Sequence, residues 1–304
     1  MNLPPHLAAL PELRRARALD LLRDLDKRRV WHIELDGRPA YLKEFRGPDG
    51  ARDAEGAAAR LHEAARTLGQ GRDGVALPIL VLPHAGVLVS EAAPGRPLAG
   101  LLRNADPATR ARLVARAGAW LHALARDGAE TGRFGPHFWL RGLRQRADTA
   151  GGDWLDRPLV AAILARMRDE AQPLRQRPIL RARLHGDLTP DNLFYDPAQD
   201  RMTGIDLQNW GAIPLVRDLA RLLVWLESRR ERPLPARDGV ARADHEVLLR
   251  DLPPDQLPFL RFMIAEIALA YYLDSARQPR RRIALIRALR GWLEGQVEDS
   301  NAPF

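Results

Sequence analysis

Leu184-His185-Gly186-Asp187-Leu188-Thr189-Pro190-Asp191-Asn192-Leu193 is followed by Met202-Thr203-Gly204-Ile205-Asp206 and then by Val216-Arg217-Asp218-Leu219-Ala220. Asp187, Asn192, Asp206 and Asp218 therefore fall in short segments separated by turn-forming residues. Asn192 stands five positions after Asp187, Asp206 fourteen after Asn192, and Asp218 twelve after Asp206. Short apolar runs at 193–195 and 202–205 flank Asp196-Pro197-Ala198, which predicts a β-hairpin between Asn192 and Asp206. One carboxylate to receive or orient a hydroxyl proton, with an amide oxygen and a second carboxylate to hold a divalent ion on phosphates, is what phosphoryl transfer from a nucleotide requires. Taken singly, each side chain also reads as a cap, a turn residue or a surface charge. Their conjunction carries the reading.

Outward from this stretch, the amino-terminal third alternates helix and strand signals. Leucines and alanines at helical spacing predict an amphipathic helix over 7–28. Residues 30–35 and 38–45 predict two strands joined across Asp36-Gly37. On the second strand Tyr41, Lys43 and Phe45 share a face. A lysine between aromatics reads as an inward cation, and also as an edge charge guarding the sheet. An alanine-rich helix is expected over 51–68, with Glu55 beside its apolar stripe and Glu63 turned away. Strands at 76–82 and 86–91 follow, then the linker Ala93-Pro94-Gly95-Arg96-Pro97, which marks a boundary between residues 1–93 and 94–304.

Beyond the linker the chain reads as mostly helical. Asp106-Pro107 is an N-cap followed by proline at the first helical position. Further helices are expected at 138–146, 158–168, 216–227, 256–276 and 281–297, with a strand at 178–184. No internal repeat stands out. The predicted class is α+β: a small sheet-plus-helix lobe, then a larger helical lobe that carries a β-hairpin.

Composition narrows the chemistry. The 304 residues are 46% hydrophobic and 28% charged, ordinary for a globular chain. Cysteine is absent, which excludes disulfides, thiolate metal sites and thiol nucleophiles. The start of the sequence lacks a basic segment leading into an apolar one, and the most apolar run, 262–273, is too short to span a bilayer. A cytoplasmic protein is expected. The net charge of +8 rests almost wholly on arginine, Lys27 and Lys43 being the only lysines. These arginines are scattered among acids, without the interleaved aromatics that stack bases, so no nucleic-acid partner is expected.

The ordered set Lys43, Glu55, Asp187, Asn192, Asp206 resembles the protein-kinase-like phosphotransferases, and more closely their aminoglycoside phosphotransferase and choline kinase branch. Gly186 stands where protein kinases carry an arginine, and the short run from Asp206 to Asp218 leaves no room for a peptide-docking segment. The resemblance implies a bilobal kinase-like fold, with ATP and Mg2+ as cofactors. It implies that Lys43 binds the nucleotide phosphates and pairs with Glu55, and that Ser90, Glu91, Ala92 and Ala93 form the hinge that reads the adenine edge. Asp187 would be the catalytic base, Asn192 and Asp206 the magnesium ligands, and His185 and Asp218 structural supports. The acceptor would be a hydroxyl of a small molecule such as a sugar or amino alcohol, with Trp139, Trp154 or Trp210 as pocket walls.

Two features set this chain apart. Family members carry a glycine-containing loop between the first two strands, whereas no glycine precedes Gly37 here. Either residues 24–30 hold a shortened strand and loop, or the Asp36-Gly37 turn serves instead. The alternative implied is a nucleotide-binding scaffold without turnover. In this respect, and in Tyr-Leu-Lys-Glu-Phe before an acidic helix, the chain is also similar to bacterial kinases of lipopolysaccharide core sugars. Arg280, Arg281, Arg282, Arg287 and Arg290 would then face an anionic membrane surface as a peripheral contact.

Overall fold

The computed structural model describes residues 2–209 and 211–295. Along the chain run α1 (Pro5–Ala8), β1 (Ala16–Leu25), β2 (Arg28–Leu35), β3 (Arg38–Phe45), α2 (Gly50–Leu68), β4 (Asp73–Val75), β5 (Pro78–Leu82), β6 (Val87–Glu91), β7 (Arg96–Pro97) and α3 (Leu98–Arg103). There follow α4 (Pro107–Ala125), β8 (Glu130–Arg133), α5 (Pro136–Thr149), α6 (Arg157–Ala171), β9 (Pro178–Arg183), β10 (Leu193–Asp196) and β11 (Arg201–Gly204). The last elements are β12 (Ala212–Pro214), α7 (Leu215–Ser228), β13 (Ala236–Arg237), β14 (Val240–Ala241), α8 (Arg242–Leu248), α9 (Leu257–Leu273) and α10 (Pro279–Glu294). Two compact units result: Met1–Gly100 with Asp191–Trp210, and Leu101–Pro190 with Gly211–Phe304. This is the expected α+β class, an antiparallel amino-terminal sheet with its helix and a helical carboxy-terminal part.

In the first unit five strands pair in the order β1-β2-β3-β6-β5, each pair antiparallel. Asp36 and Gly37, with φ of 50° and 76°, make the tight turn between β2 and β3. Alternation along these strands sorts the side chains to two faces. Trp31, Ile33, Ala40, Leu42, Val87 and Val89 form one face, buried in a core with Leu3, Leu7 and Leu13. Tyr41, Lys43 and Phe45 occupy the other.

Residues 16–25 do not form the expected helix; they are β1. The leucine spacing of a helix is present, but Leu19, Leu21, Leu22 and Leu25 remain exposed while the backbone pairs with β2. Register shifts between Ala18 and Asp20 and between Leu21 and Arg23 break the strand's alternation. Such irregularities remove the period of two that would have marked a strand.

The hairpin β10–β11 pairs through β11 with β4 in parallel and through β10 with β7 antiparallel. It therefore clusters with the first unit, whereas the sequence reading grouped residues 94–304 together. The second unit is built on α9, whose residues are buried nearly all round, with α7, α10, α5 and α6 packed against it. Asp106 Oδ1 accepts from Ala108 N and Thr109 N at 3.0 Å, capping α4 as its sequence predicts. Strands order as β12-β9-β8 in this unit. Among the described residues no helix is long and apolar enough to cross a membrane. Gln296 onward, including the expected helix end at Val297, lies outside the described residues.

Candidate active site

The first unit holds a pocket of about 240 Å³ against the Lys43 face of the sheet. Val30, Tyr41, Leu88 and Ser90 line it from the strands, Ala57 and Leu61 from α2, and Asn192 and Asp206 from the ends of the hairpin. The Lys43 ammonium contacts Asp206 Oδ1 at 2.5 Å, and Arg28 Nη1 lies 3.5 Å from Oδ2 of the same carboxylate. Burial pushes the Lys43 amine below its ordinary range, and the Asp206 charge opposes that shift. Asp206 adopts a left-handed backbone, φ 57°, immediately after Ile205 N donates to Asn192 O at 3.0 Å. That bond closes the base of the hairpin, bringing Asn192 and Asp206 to one pocket although fourteen positions separate them.

Glu55 is not Lys43's partner. It is exposed on α2, whose buried positions include Ala54, Ala57, Ala58 and Leu61. One residue's rotation from Ala54 is about 100° on a helix, enough to turn Glu55 off the buried stripe. The same helix instead sends Arg60 toward the site, where Nε donates to Leu207 O at 2.8 Å. Arg28 and Arg60 were missed in the sequence, since each is one arginine among dozens. Their signal is only positional: Arg28 lies two residues before Val30 on a strand adjoining that of Lys43.

Ser90, Glu91 and Ala93 line the pocket, and Ser90 pairs with Tyr41 and Pro78 in the sheet. Glu91 turns its carboxylate to Leu77 N at 3.3 Å, and Ala92 is half-buried. Leu22, Arg23 and Arg28 bring the β1–β2 end of the sheet to the pocket, so the connection bordering it is the Asp26-Lys27 turn. The Asp36-Gly37 turn lies at the opposite end of β2. At the position where a glycine loop was expected stands a two-residue turn followed by Arg28, which lines the pocket.

In the second unit, Asp187 follows Gly186, whose φ of 81° is a left-handed conformation suited to glycine. Gly186 N donates to Oδ2 of the fully buried Asp218 at 2.9 Å, so the first turn of α7 braces the loop. His185 is fully buried, edge-on to Trp120. Its Nδ1 accepts from Asp187 N at 3.2 Å, which puts the ring proton on Nε2. The Asp187 carboxylate accepts from Arg221 Nη1 at 2.9 Å, and Tyr271 OH lies 3.5 Å from the same nitrogen. Arg221 also escaped the sequence reading. Its spacing, three residues after Asp218 on one helix, was the available signal.

Around this group Arg217 lies 3.6 Å from Glu266 and over the Trp139 ring, and Arg281 lies over the Tyr271 ring. Burial pushes the Glu266 carboxyl above its usual range, with Arg217 opposing. Trp154 packs edge-on to Tyr272, and Trp210 lies outside the described residues. The expected basic face on α10 is largely engaged within the unit. Arg287 pairs with Glu227, Arg290 with Asp156, and Arg282 lies over Trp154.

The sequence profile of the phosphotransferase enzyme family matches residues 20–255. The chain belongs to this family. Solved structures with the same fold include a thermostable mutant of the aminoglycoside phosphotransferase APH(4)-Ia, at 17% identity and TM-score 0.62, covering 93% of this chain and 96% of that one. The amicoumacin kinase hAmiN, in complex with AMP-PNP, Ca2+ and Ami, aligns at 17% identity and TM-score 0.62 over 94% of this chain and 89% of that one. The GDP and kanamycin complex of APH(2")-IIia aligns at 14% identity and TM-score 0.62 over 93% of each chain. No curated protein sequence matches the chain. The family assignment places the pocket and the Gly186-Asp187 loop in a phosphotransferase fold.

Proposed function

We propose that this phosphotransferase moves the γ-phosphoryl group of ATP to a hydroxyl of a small molecule in the cytoplasm. The observation that carries the reading is the Lys43–Asp206 ion pair inside a pocket that also presents Asn192 and the Ser90–Ala93 edge. An amide oxygen and a carboxylate fit Mg2+, which takes few protein ligands and keeps phosphate oxygens and water. Asn192 and Asp206 would hold it, and the ion would neutralise phosphate charge. Lys43 binds the phosphates, and backbone groups of Ser90–Ala93 meet the base; structures of the same fold have been solved with AMP-PNP or ADP. Asp187 orients the acceptor hydroxyl and takes its proton, while His185 and Asp218 hold the loop in shape.

The surroundings of Asp187 bear on the acceptor. Arg221 contacts the carboxylate directly, and Arg281 joins it at Tyr271. A polycation would meet like charge there, so a neutral or anionic hydroxyl compound, a sugar for example, suits this surface better. The test is magnesium–nucleotide turnover against a panel of sugars, sugar acids, amino alcohols and aminoglycosides. Phosphorylation of a panel member that is lost in Asp187→Asn supports the reading.

A second reading, nucleotide binding without turnover, is favoured by the glycine-free Asp26-Lys27 turn. Magnesium-dependent thermal stabilisation by ATP, with no ADP formed beside any acceptor, would select it.

A further inference from the structure

A groove of about 540 Å³ lies between α5 and the carboxy-terminal half of α6, within the second unit. Its floor is apolar, from Pro136, Leu140 and Ala171. Its rim carries Arg141, Arg144, Arg168 and Arg175, with no carboxylate among the lining residues. Elsewhere in this unit arginines meet acids: Arg110 and Arg230 share Asp244, Arg261 meets Glu170 and Asp238, and Arg146 meets Asp274. Among the described residues, the four groove guanidiniums make no such pair.

The groove is separate from the Asp187 group. Trp139, Leu143 and Arg146 recur at helical spacing on one face of α5, and Arg217 and Asp274 meet that face. Arg141 and Arg144 project from a different side of the helix, the side that lines the groove. Four uncompensated cations around a concave apolar floor focus positive potential on a small volume. Guanidinium groups also match phosphate oxygens in geometry.

We propose that this groove binds a small soluble ligand bearing two or more phosphate groups. Concavity argues for a compact ligand over a flat bilayer, which would leave the floor uncovered. Four separate cations argue for clustered charge over a single anion. The site stands independently of the phosphotransferase reading, because its residues belong to neither the pocket nor the Asp187 loop.

The test is hydrogen–deuterium exchange on the full chain with inorganic tripolyphosphate, at fixed ionic strength. Protection is expected over 136–144 and 168–175, with orthophosphate at least tenfold weaker. The double variants Arg141→Ala/Arg144→Ala and Arg168→Ala/Arg175→Ala should each weaken that local protection at least tenfold. Arg280→Ala/Arg282→Ala, an equal loss of charge elsewhere, should change it less than twofold, and circular dichroism should show all three variants folded. Protection confined to the Lys43 pocket, equal response to orthophosphate, or equal loss in the control variant would overturn the proposal. So would protection by vesicles of phosphatidylcholine with phosphatidic acid where tripolyphosphate gives none.

Discussion

Arg221 Nη1 donates to Asp187 Oδ1 at 2.9 Å, and both side chains are largely withdrawn from solvent. The contact holds one carboxylate oxygen in place. In the proposed reaction Asp187→Asn removes the proton acceptor, and turnover should fall about 10²- to 10⁴-fold. Nucleotide affinity, measured by calorimetry with magnesium, should change little. Arg221→Ala should lower kcat more than it changes nucleotide affinity, because it frees the carboxylate's orientation. A single nitrogen makes the contact, so Arg221→Lys should restore part of the rate. Unchanged kcat in Arg221→Ala would remove Arg221 from the positioning of Asp187.

Lys43 and Asp206 give a prediction on nucleotide binding. A charge-assisted hydrogen bond contributes about 1.5–3 kcal/mol, so Lys43→Met should weaken magnesium–nucleotide affinity roughly 10- to 100-fold. Glu55 is exposed on α2, and Glu55→Gln should leave the affinity within about twofold. An equal loss in both variants would restore Glu55 as Lys43's partner in the nucleotide-bound state.

These contrasts show what was legible in the sequence. Asn192 and Asp206 were readable because the Asp196-Pro197 turn and two short apolar runs announce their hairpin. Asp106 was readable because capping is local chemistry. Glu55 was not, since a helix's buried stripe is centred by its tertiary partners and a shift of one residue turns a side chain away. β1 was hidden by its register shifts, which mask strand periodicity behind leucine spacing that fits a helix. Arg28, Arg60 and Arg221 are marked only by position in a chain where arginine supplies nearly every cation. Only the partner shows which arginine matters.

His245 links stability to pH. It is buried, and burial pushes its pKa down to about 4, with Asp238 partly opposing. An unfolded histidine titrates near 6.5. Between those values the unfolded chain holds the extra proton, so stability is complete above about pH 6.5 and falls as pH drops towards 4. The loss from this residue is of order 3 kcal/mol. Thermal melts from pH 7.5 to 4.5 should therefore show a falling acid limb that His245→Gln flattens. An unchanged limb in that variant would assign the acid sensitivity to other groups.

Gly95 tests how tightly the linker is held against the hairpin. Its φ is 84°, and a Cβ there would lie 2.3 Å from Tyr195 O and 2.6 Å from Asp196 N. Both neighbours are backbone atoms of β10, fixed by pairing with β7 and β11, so neither can yield as a side-chain tip would. Gly95→Ala therefore adds left-handed strain to a backbone clash, at a cost of about 3 kcal/mol. A fall in Tm of roughly 6–12 °C should follow. The same displacement would shift β10 beside Asn192, so nucleotide affinity should fall along with stability. By contrast, Gly100→Ala has open space around its Cβ and should leave both quantities near wild type. Equal Tm values for the two variants would mean that the linker adjusts freely and does not hold the hairpin in place.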